Sequence, residues 1–200
     1  MTPVGRRLGV MGGTFDPIHY GHLVTAEEAL VQFSLDAVLF VPTGEPWMKE
    51  AREVTPPEDR YLMTVIATAS NPRFAVSRIE IDRDGPTYTV DTLRALGAEH
   101  PDAELYFITG ADAMLEIFDW KEPDEVLTLA HFIAATRPGY DLTRFESRAS
   151  TRHPNVSVMN IPALAISSTD VRARQREGRP IRYLVPEGVK IYIDKARLYR

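Results

Sequence analysis

The chain reads as an α/β protein, a doubly wound parallel sheet flanked by helices, and three observations lead there. Apolar runs of strand length alternate with stretches of helical periodicity along the 200 residues. A glycine-rich turn, Gly12-Gly13-Thr14-Phe15-Asp16-Pro17, joins the first apolar run to the first helical stripe. The apolar fraction of 44% and charged fraction of 26% suit a globular chain with one ordinary core, so residues 1–200 are expected to form one domain.

The elements follow in order. Leu8, Val10 and Met11 mark a strand over 7–11, and Leu23, Ala26, Leu30 and Phe33 stripe a helix over 22–33. Further strands are predicted at 37–41, 74–81, 104–109, 132–136 and 156–160, each apolar and bounded by turn residues. Helices are predicted at 57–69, 88–99, 123–129, 168–177 and 186–195. Thr55-Pro56-Pro57-Glu58 offers the second helix a capping box with proline at its first position. A parallel sheet takes ligands beyond the carboxyl ends of its strands, so the loops after the first, second, fourth and sixth strands are expected to converge. The stretch 42–56, with Trp47 and Lys49, is expected to be a mobile loop over that site.

Composition narrows the function classes. With no cysteine there is no disulfide framework, thiolate nucleophile or cysteine zinc site. The net charge of −5 argues against a general nucleic-acid coat, and no nucleic-acid partner is expected. No apolar run approaches the ~18 residues that span a bilayer, and no signal-peptide pattern opens the chain. A cytoplasmic protein without membrane association is expected. Arg172, Arg174, Arg176, Arg179 and Arg182 crowd one segment. Most read as a solvated face, but Arg172 falls near a helix start, where the dipole disfavours a cation and an anionic ligand would resolve the conflict.

The chemistry concentrates at the glycine-rich turn. A turn between strand and helix aims bare backbone N–H groups and a positive dipole end at one spot. That end contributes roughly 0.3–1 kcal/mol toward an anion, or about 2 when partly buried, too little for a polyphosphate. His19 and His22, three residues apart, supply the missing donors. Anions raise imidazole pKa values, so both rings are expected to be protonated once phosphates arrive.

Two motifs are specific enough to name relatives. His19-Tyr20-Gly21-His22 and Ile166-Ser167-Ser168-Thr169-Asp170-Val171-Arg172 resemble the HxGH and ISSTxxR motifs of a nucleotidyltransferase superfamily with a Rossmann-like sheet. Thr87-Tyr88-Thr89-Val90-Asp91-Thr92-Leu93, Gly110-Ala111-Asp112, Trp120 and Arg137-Pro138-Gly139-Tyr140 extend the likeness. Together, in this order, they resemble the bacterial nicotinate-nucleotide adenylyltransferase family. The resemblance implies that the phosphate of nicotinic acid mononucleotide attacks the α-phosphorus of ATP in line, giving deamido-NAD and pyrophosphate with no covalent enzyme intermediate.

Residue roles follow from that resemblance. His19, His22, Lys49 and Arg172 are expected to stabilise charge during transfer. Gly12, Gly13, Gly110, Asp112, Ile166, Ser167, Ser168 and Thr169 join His19, His22 and Arg172 around ATP, with Asp112 on its ribose. Thr14, the Phe15 N–H and Lys49 would hold the attacking phosphate. Thr87, Tyr88 and Thr89 at a helix start would take the nicotinate carboxylate, Trp120 would stack on the ring, and Arg137 would lie near the nucleotides. Asp16-Pro17 is expected to shape the turn. Magnesium is expected to travel with ATP, held mainly by phosphates and water, with no metal ligands dedicated to it in the protein. Asp59-Arg60 stands where the family often has His-Arg, and a surface-helix contact is expected to be lost there. His100, His131 and His153 read as structural. The rival readings are a sister enzyme, either pantetheine-phosphate adenylyltransferase or a cytidylyltransferase, and a non-catalytic nucleotide sensor.

Overall fold

The computed structural model describes residues 6–46, 54–136, 155–162 and 164–200. Six parallel strands form the sheet: β1 (Arg7–Gly13), β2 (Ala37–Pro42), β4 (Phe74–Val76), β6 (Glu104–Gly110), β7 (His131–Thr136) and β8 (Val156–Asn160). Their spatial order is β4-β2-β1-β6-β7-β8. Counted along the chain, the sheet grows outward from β1 in one direction, then restarts at β6 and grows in the other. The order therefore reverses between β1 and β6, and that reversal opens a crevice at the carboxyl ends of the two strands.

Why the strands are buried on both faces is visible in their alternation. Val38 and Phe40 of β2 and Tyr106 and Ile108 of β6 point into one core, with Ala26 and Leu30 of α1 (Tyr20–Gln32), Met63 of α2 (Pro57–Thr68) and Val189 and Ile193 of α7 (Glu187–Ala196). Leu39, Val41, Leu105 and Phe107 point the other way, against Val90, Leu93 and Leu96 of α3 (Thr89–Glu99) and Val126 and Leu127 of α5 (Pro123–Leu129). Parallel strands covered by helices on both faces are expected to be apolar throughout, and these are. α6 (Ser168–Arg176) follows β8.

The structure corrects or adds to the sequence reading at four points. The strand expected at 74–81 ends at Val76: Ser77 N–H still bonds the Phe40 carbonyl (2.9 Å), but the Ser77 hydroxyl then accepts from Ile79 N–H and turns the chain away. α2 has no Thr55 capping box. Its cap is Pro56, with Pro57 at the first position and no side-chain cap. Segments too short for periodicity to show also went unseen: α4 (Ala111–Leu115), a 3-10 turn at Ile117–Asp119, and the pair β3 (Glu45–Pro46) with β5 (Pro86–Thr87). Finally, Asp59-Arg60, where a lost surface-helix contact was expected, makes contacts of its own. Arg60 is 1% exposed, and Asp59 accepts the Tyr192 hydroxyl at 2.6 Å.

Candidate active site

β1 delivers the glycine-rich turn to the mouth of the crevice. Phe15 follows in the left-handed region (φ 48°), and its ring is buried. The Asp16–Pro17 peptide is cis. His19, in extended conformation, is the N-cap of α1. Its backbone N–H donates to His22 Nδ1 (3.2 Å), so the hydrogen of a neutral His22 ring sits on Nε2. The two imidazoles stack at 3.7 Å between centroids, and Phe15 meets His22 edge-on at 5.1 Å. Gly21 makes the stack possible: a Cβ there would sit 2.9 Å from the His19 ring. Burial, reinforced by the neighbouring His19, holds the His22 pKa well below its usual value. Without ligand, then, the site keeps His22 neutral, the opposite of the protonation expected once phosphates arrive.

The turn is anchored from behind. Asp16, 3% exposed, accepts the Tyr199 hydroxyl at 2.7 Å. Arg172 donates to the Asp16 carbonyl and to Thr169 Oγ1 (3.1 Å), with the Asp16 carboxylate 3.9 Å away. Thr169 and Arg172, both expected around ATP, line a separate cavity behind the turn. Asp16 supplies the counter-charge that the cation near the start of α6 requires. Ser168 Oγ donates to the Pro17 carbonyl (2.9 Å), tying the two sequence motifs together. Ser167 is the α6 cap, accepting Asp170 N–H at 3.1 Å. Arg174, Arg179 and Arg182 pair with surface carboxylates, as a solvated face should.

Two cavities flank the reversal point and share Thr109 at the end of β6. The larger, about 510 Å³, brings together His19, Gly21, His22, Gly110, Asp112, Ile166, Ser167 and Ser168, with Thr136 of β7 in its wall. The smaller, about 220 Å³, gathers Gly12, Gly13, Thr14, Thr87, Tyr88, Thr89 and Trp120. Gly12 and Gly13 thus lie on the smaller cavity and not on the larger one where ATP contacts were expected, because β1 ends between the two. Phe15 lines neither cavity and meets the site through its ring contact with His22. Lys49 and Arg137 lie outside the described residues.

The smaller cavity is bounded by a helix start and an aromatic ring. Tyr88 is the N-cap of α3 and provides no side-chain cap, so the helix presents its first turn without one. Trp120 is half-buried, edge-on to Phe107 at 6.2 Å, and lines the cavity. Lys121 Nζ stands 4.6 Å from the Tyr88 ring centroid and pairs with Asp91 at 3.1 Å.

Sequence reasoning missed several residues here. Arg60 donates to three backbone carbonyls: Thr55 (2.8 Å), Thr14 (2.9 Å) and Gly44 (2.9 Å). Glu80 is buried in the cavity wall, and Lys121 lines it. Tyr199 braces the turn from far along the chain. No local pattern announces such roles, since each depends on partners distant in sequence. His131 bonds Ser157 Oγ at 2.8 Å, a structural contact as expected.

Fold, motifs and cavities together define a nucleotidyltransferase, and comparison with known proteins agrees. The family model described as cytidylyltransferase-like matches residues 10–174, and the chain belongs to this family. Its relatives carry a narrower name. A probable nicotinate-nucleotide adenylyltransferase of Streptomyces coelicolor is 62% identical over 190 residues, covering 95% of this chain and 99% of that one. One from Acidothermus cellulolyticus is 58% identical, covering 100% and 97%. Among solved structures, the Plasmodium falciparum nicotinic acid mononucleotide adenylyltransferase complexed with NaAD aligns with a TM-score of 0.80, covering 98% of each chain at 22% identity.

Proposed function

We propose that the protein transfers the adenylyl group of ATP to nicotinic acid mononucleotide, releasing pyrophosphate and forming deamido-NAD. The observation that carries this is the pair of cavities meeting at Thr109, one beside the stacked histidines and one lined by Trp120 and the α3 start. ATP occupies the larger cavity, its ribose near Asp112 and its phosphates between the first turns of α1 and α6. The pyridine lies against Trp120 with its carboxylate toward Thr87–Thr89. The mononucleotide phosphate then approaches from the Thr14 side and displaces pyrophosphate in line.

The chain's own contribution is positioning and charge stabilisation. His22 Nε2–H donates to the oxygens around the reacting phosphorus. Incoming phosphate raises the depressed pKa of this ring, so charge is added where negative charge accumulates. Lys49 and Arg137 are proposed to add charge to the phosphates. Arg172 acts indirectly, holding Asp16 and the turn. Magnesium enters as part of the ATP substrate, held by phosphates and water. Among the described residues no group of three or more His, Cys, Asp or Glu side chains is placed to ligate a metal. The reaction is assigned to the cytoplasm. Among the described residues, no helix is long and apolar enough to cross a membrane.

The test is pyrophosphate release with ATP and a panel of acceptors: nicotinic acid mononucleotide, its amide, and phosphopantetheine. The acid mononucleotide should be the best acceptor. Preference for phosphopantetheine, or no release with any acceptor, overturns the proposal.

A further inference from the structure

The pyridine cavity contains a charge that its proposed ligand should not welcome. Glu80 lines the cavity and is 8% exposed. Thr92, in the first turn of α3, donates to Glu80 Oε1 at 2.7 Å. The Gly44 N–H and the Thr87 hydroxyl also contact the carboxyl. Gly44 is pressed so closely here that a Cβ would meet the Glu80 carbonyl oxygen at 2.1 Å. This one side chain therefore joins the loop after β2, β5 and α3, the elements that frame the cavity.

Proton counting bears on its charge. The Thr87 hydroxyl has one hydrogen, donated to the Glu45 carbonyl at 3.0 Å. The Glu80 carboxyl is a second acceptor within its reach, so one hydrogen serves two acceptors in turn, and a protonated Glu80 supplies the second hydrogen that lets both contacts form at once. Burial also pushes the Glu80 carboxyl above the usual carboxylate range, against the opposing pull of Thr92, Arg83, Thr87 and Gly44. A second carboxylate in the cavity adds like-charge repulsion and favours the neutral form further.

We propose that Glu80 sets the charge preference of this cavity: as a neutral carboxylic acid it admits a ring bearing a carboxylate, and as a carboxylate it repels one. The inference rests on the proposed placement of the mononucleotide. Binding of the acid mononucleotide is then coupled to retention or uptake of a proton at Glu80, whereas the amide is indifferent to it. The charged and titratable groups around Glu80 are Arg83 of its own loop, Arg60 of α2, and Tyr88 with the Asp91–Lys121 ion pair on the α3 side. Their charges act on both substrates in common, as do His22 and the shared phosphate. They largely cancel in the ratio of kcat/KM for acid over amide.

That ratio is the measurement, taken from pH 5.5 to 9 in the wild type and in Glu80→Gln. Glutamine keeps one oxygen to accept from Thr92 and the Gly44 N–H, offers an N–H to the Thr87 hydroxyl, and cannot ionise. The wild-type ratio should fall as pH rises, approaching about tenfold per unit once Glu80 ionises, while the Glu80→Gln ratio stays flat at or above the wild-type value at low pH. A second measurement needs only the wild type: calorimetry in buffers of different ionisation enthalpy should show more proton uptake with the acid than with the amide. Equal slopes in the two proteins, a flat wild-type ratio, equal proton uptake, or equal loss of both substrates in Glu80→Gln overturns the role. A wild type that adenylylates neither mononucleotide overturns instead the functional reading beneath it.

Discussion

Replacing Arg60 by methionine tests how the site is held together. The guanidinium donates to Thr55, Thr14 and Gly44 carbonyls and is 1% exposed, so removing it leaves these acceptors without their donor in the interior. A hydrogen bond to a charged group contributes about 1.5–3 kcal/mol, and a stranded buried acceptor costs about 1–3. Against this, methionine spares the protein a buried charge, whose strain shows in an Arg60 pKa lowered by desolvation. Asp16, which favours the charged form of Arg60, also loses a neighbouring cation. The balance is a loss on the order of 3–5 kcal/mol, typical of breaking a buried charged contact. For a chain of this size that lowers Tm by about 10 °C. Because Thr14 lines the smaller cavity and Gly44 contacts Glu80 in its wall, KM for the mononucleotide should rise more than KM for ATP. Differential scanning calorimetry and steady-state kinetics provide both readings. A Tm within 2–3 °C of wild type, with mononucleotide KM unchanged, would refute the reasoning.

Other consequences can be measured as directly. His22→Ala should lower kcat by about 10²–10³-fold through loss of a transition-state donor, with ATP affinity far less affected. Unchanged turnover removes His22 from the chemistry. Tyr199→Phe strips a hydroxyl from the buried Asp16 carboxylate and should cost about 1–3 kcal/mol in urea unfolding; no change would mean the C-terminal brace is idle. Gly44→Ala forces a methyl onto the Glu80 backbone and should destabilise by about 1–3 kcal/mol, with wild-type melting counting against that contact. The pH dependence of stability has a definite sign. His22 is held neutral in the fold, while in the unfolded chain it takes up a proton below about pH 6.5. Its contribution is therefore present above that pH and lost as pH falls through the lowered folded value. The drop in Tm from pH 7.5 to 5.5 should be smaller in His22→Gln, and identical drops would contradict the shift. The His131 pKa is lowered as well, but it is common to both proteins.

The strands, the long helices and the phosphate-facing turn were legible because each rests on local pattern. Apolar runs bounded by turn residues locate β1, β2, β6, β7 and β8, and 3.6-residue periodicity locates α1, α2 and α3. The HxGH spacing fixes itself by geometry: three residues bring His22 back beside the helix cap, and Gly21 leaves the room for the stacked rings. Local spacing of this kind is what singled out His19, His22, Ser167, Ser168, Thr89 and Trp120, which line the two cavities.

Arg60, Glu80 and Tyr199 cannot be read the same way, nor can the Asp16 partner of Arg172. Their chemistry comes from partners supplied by other parts of the chain: Thr14 for Arg60, Asp16 for both Tyr199 and Arg172, Gly44 and Thr92 for Glu80. Sequence alone determined the main strands, the long helices and the glycine-rich turn that carries the histidine pair, because hydrophobic periodicity and turn chemistry act over a few residues. Only the tertiary structure decided that Arg172 and Tyr199 meet at Asp16 behind the turn, because a buried ion takes whatever counter-charge the packed fold brings within reach.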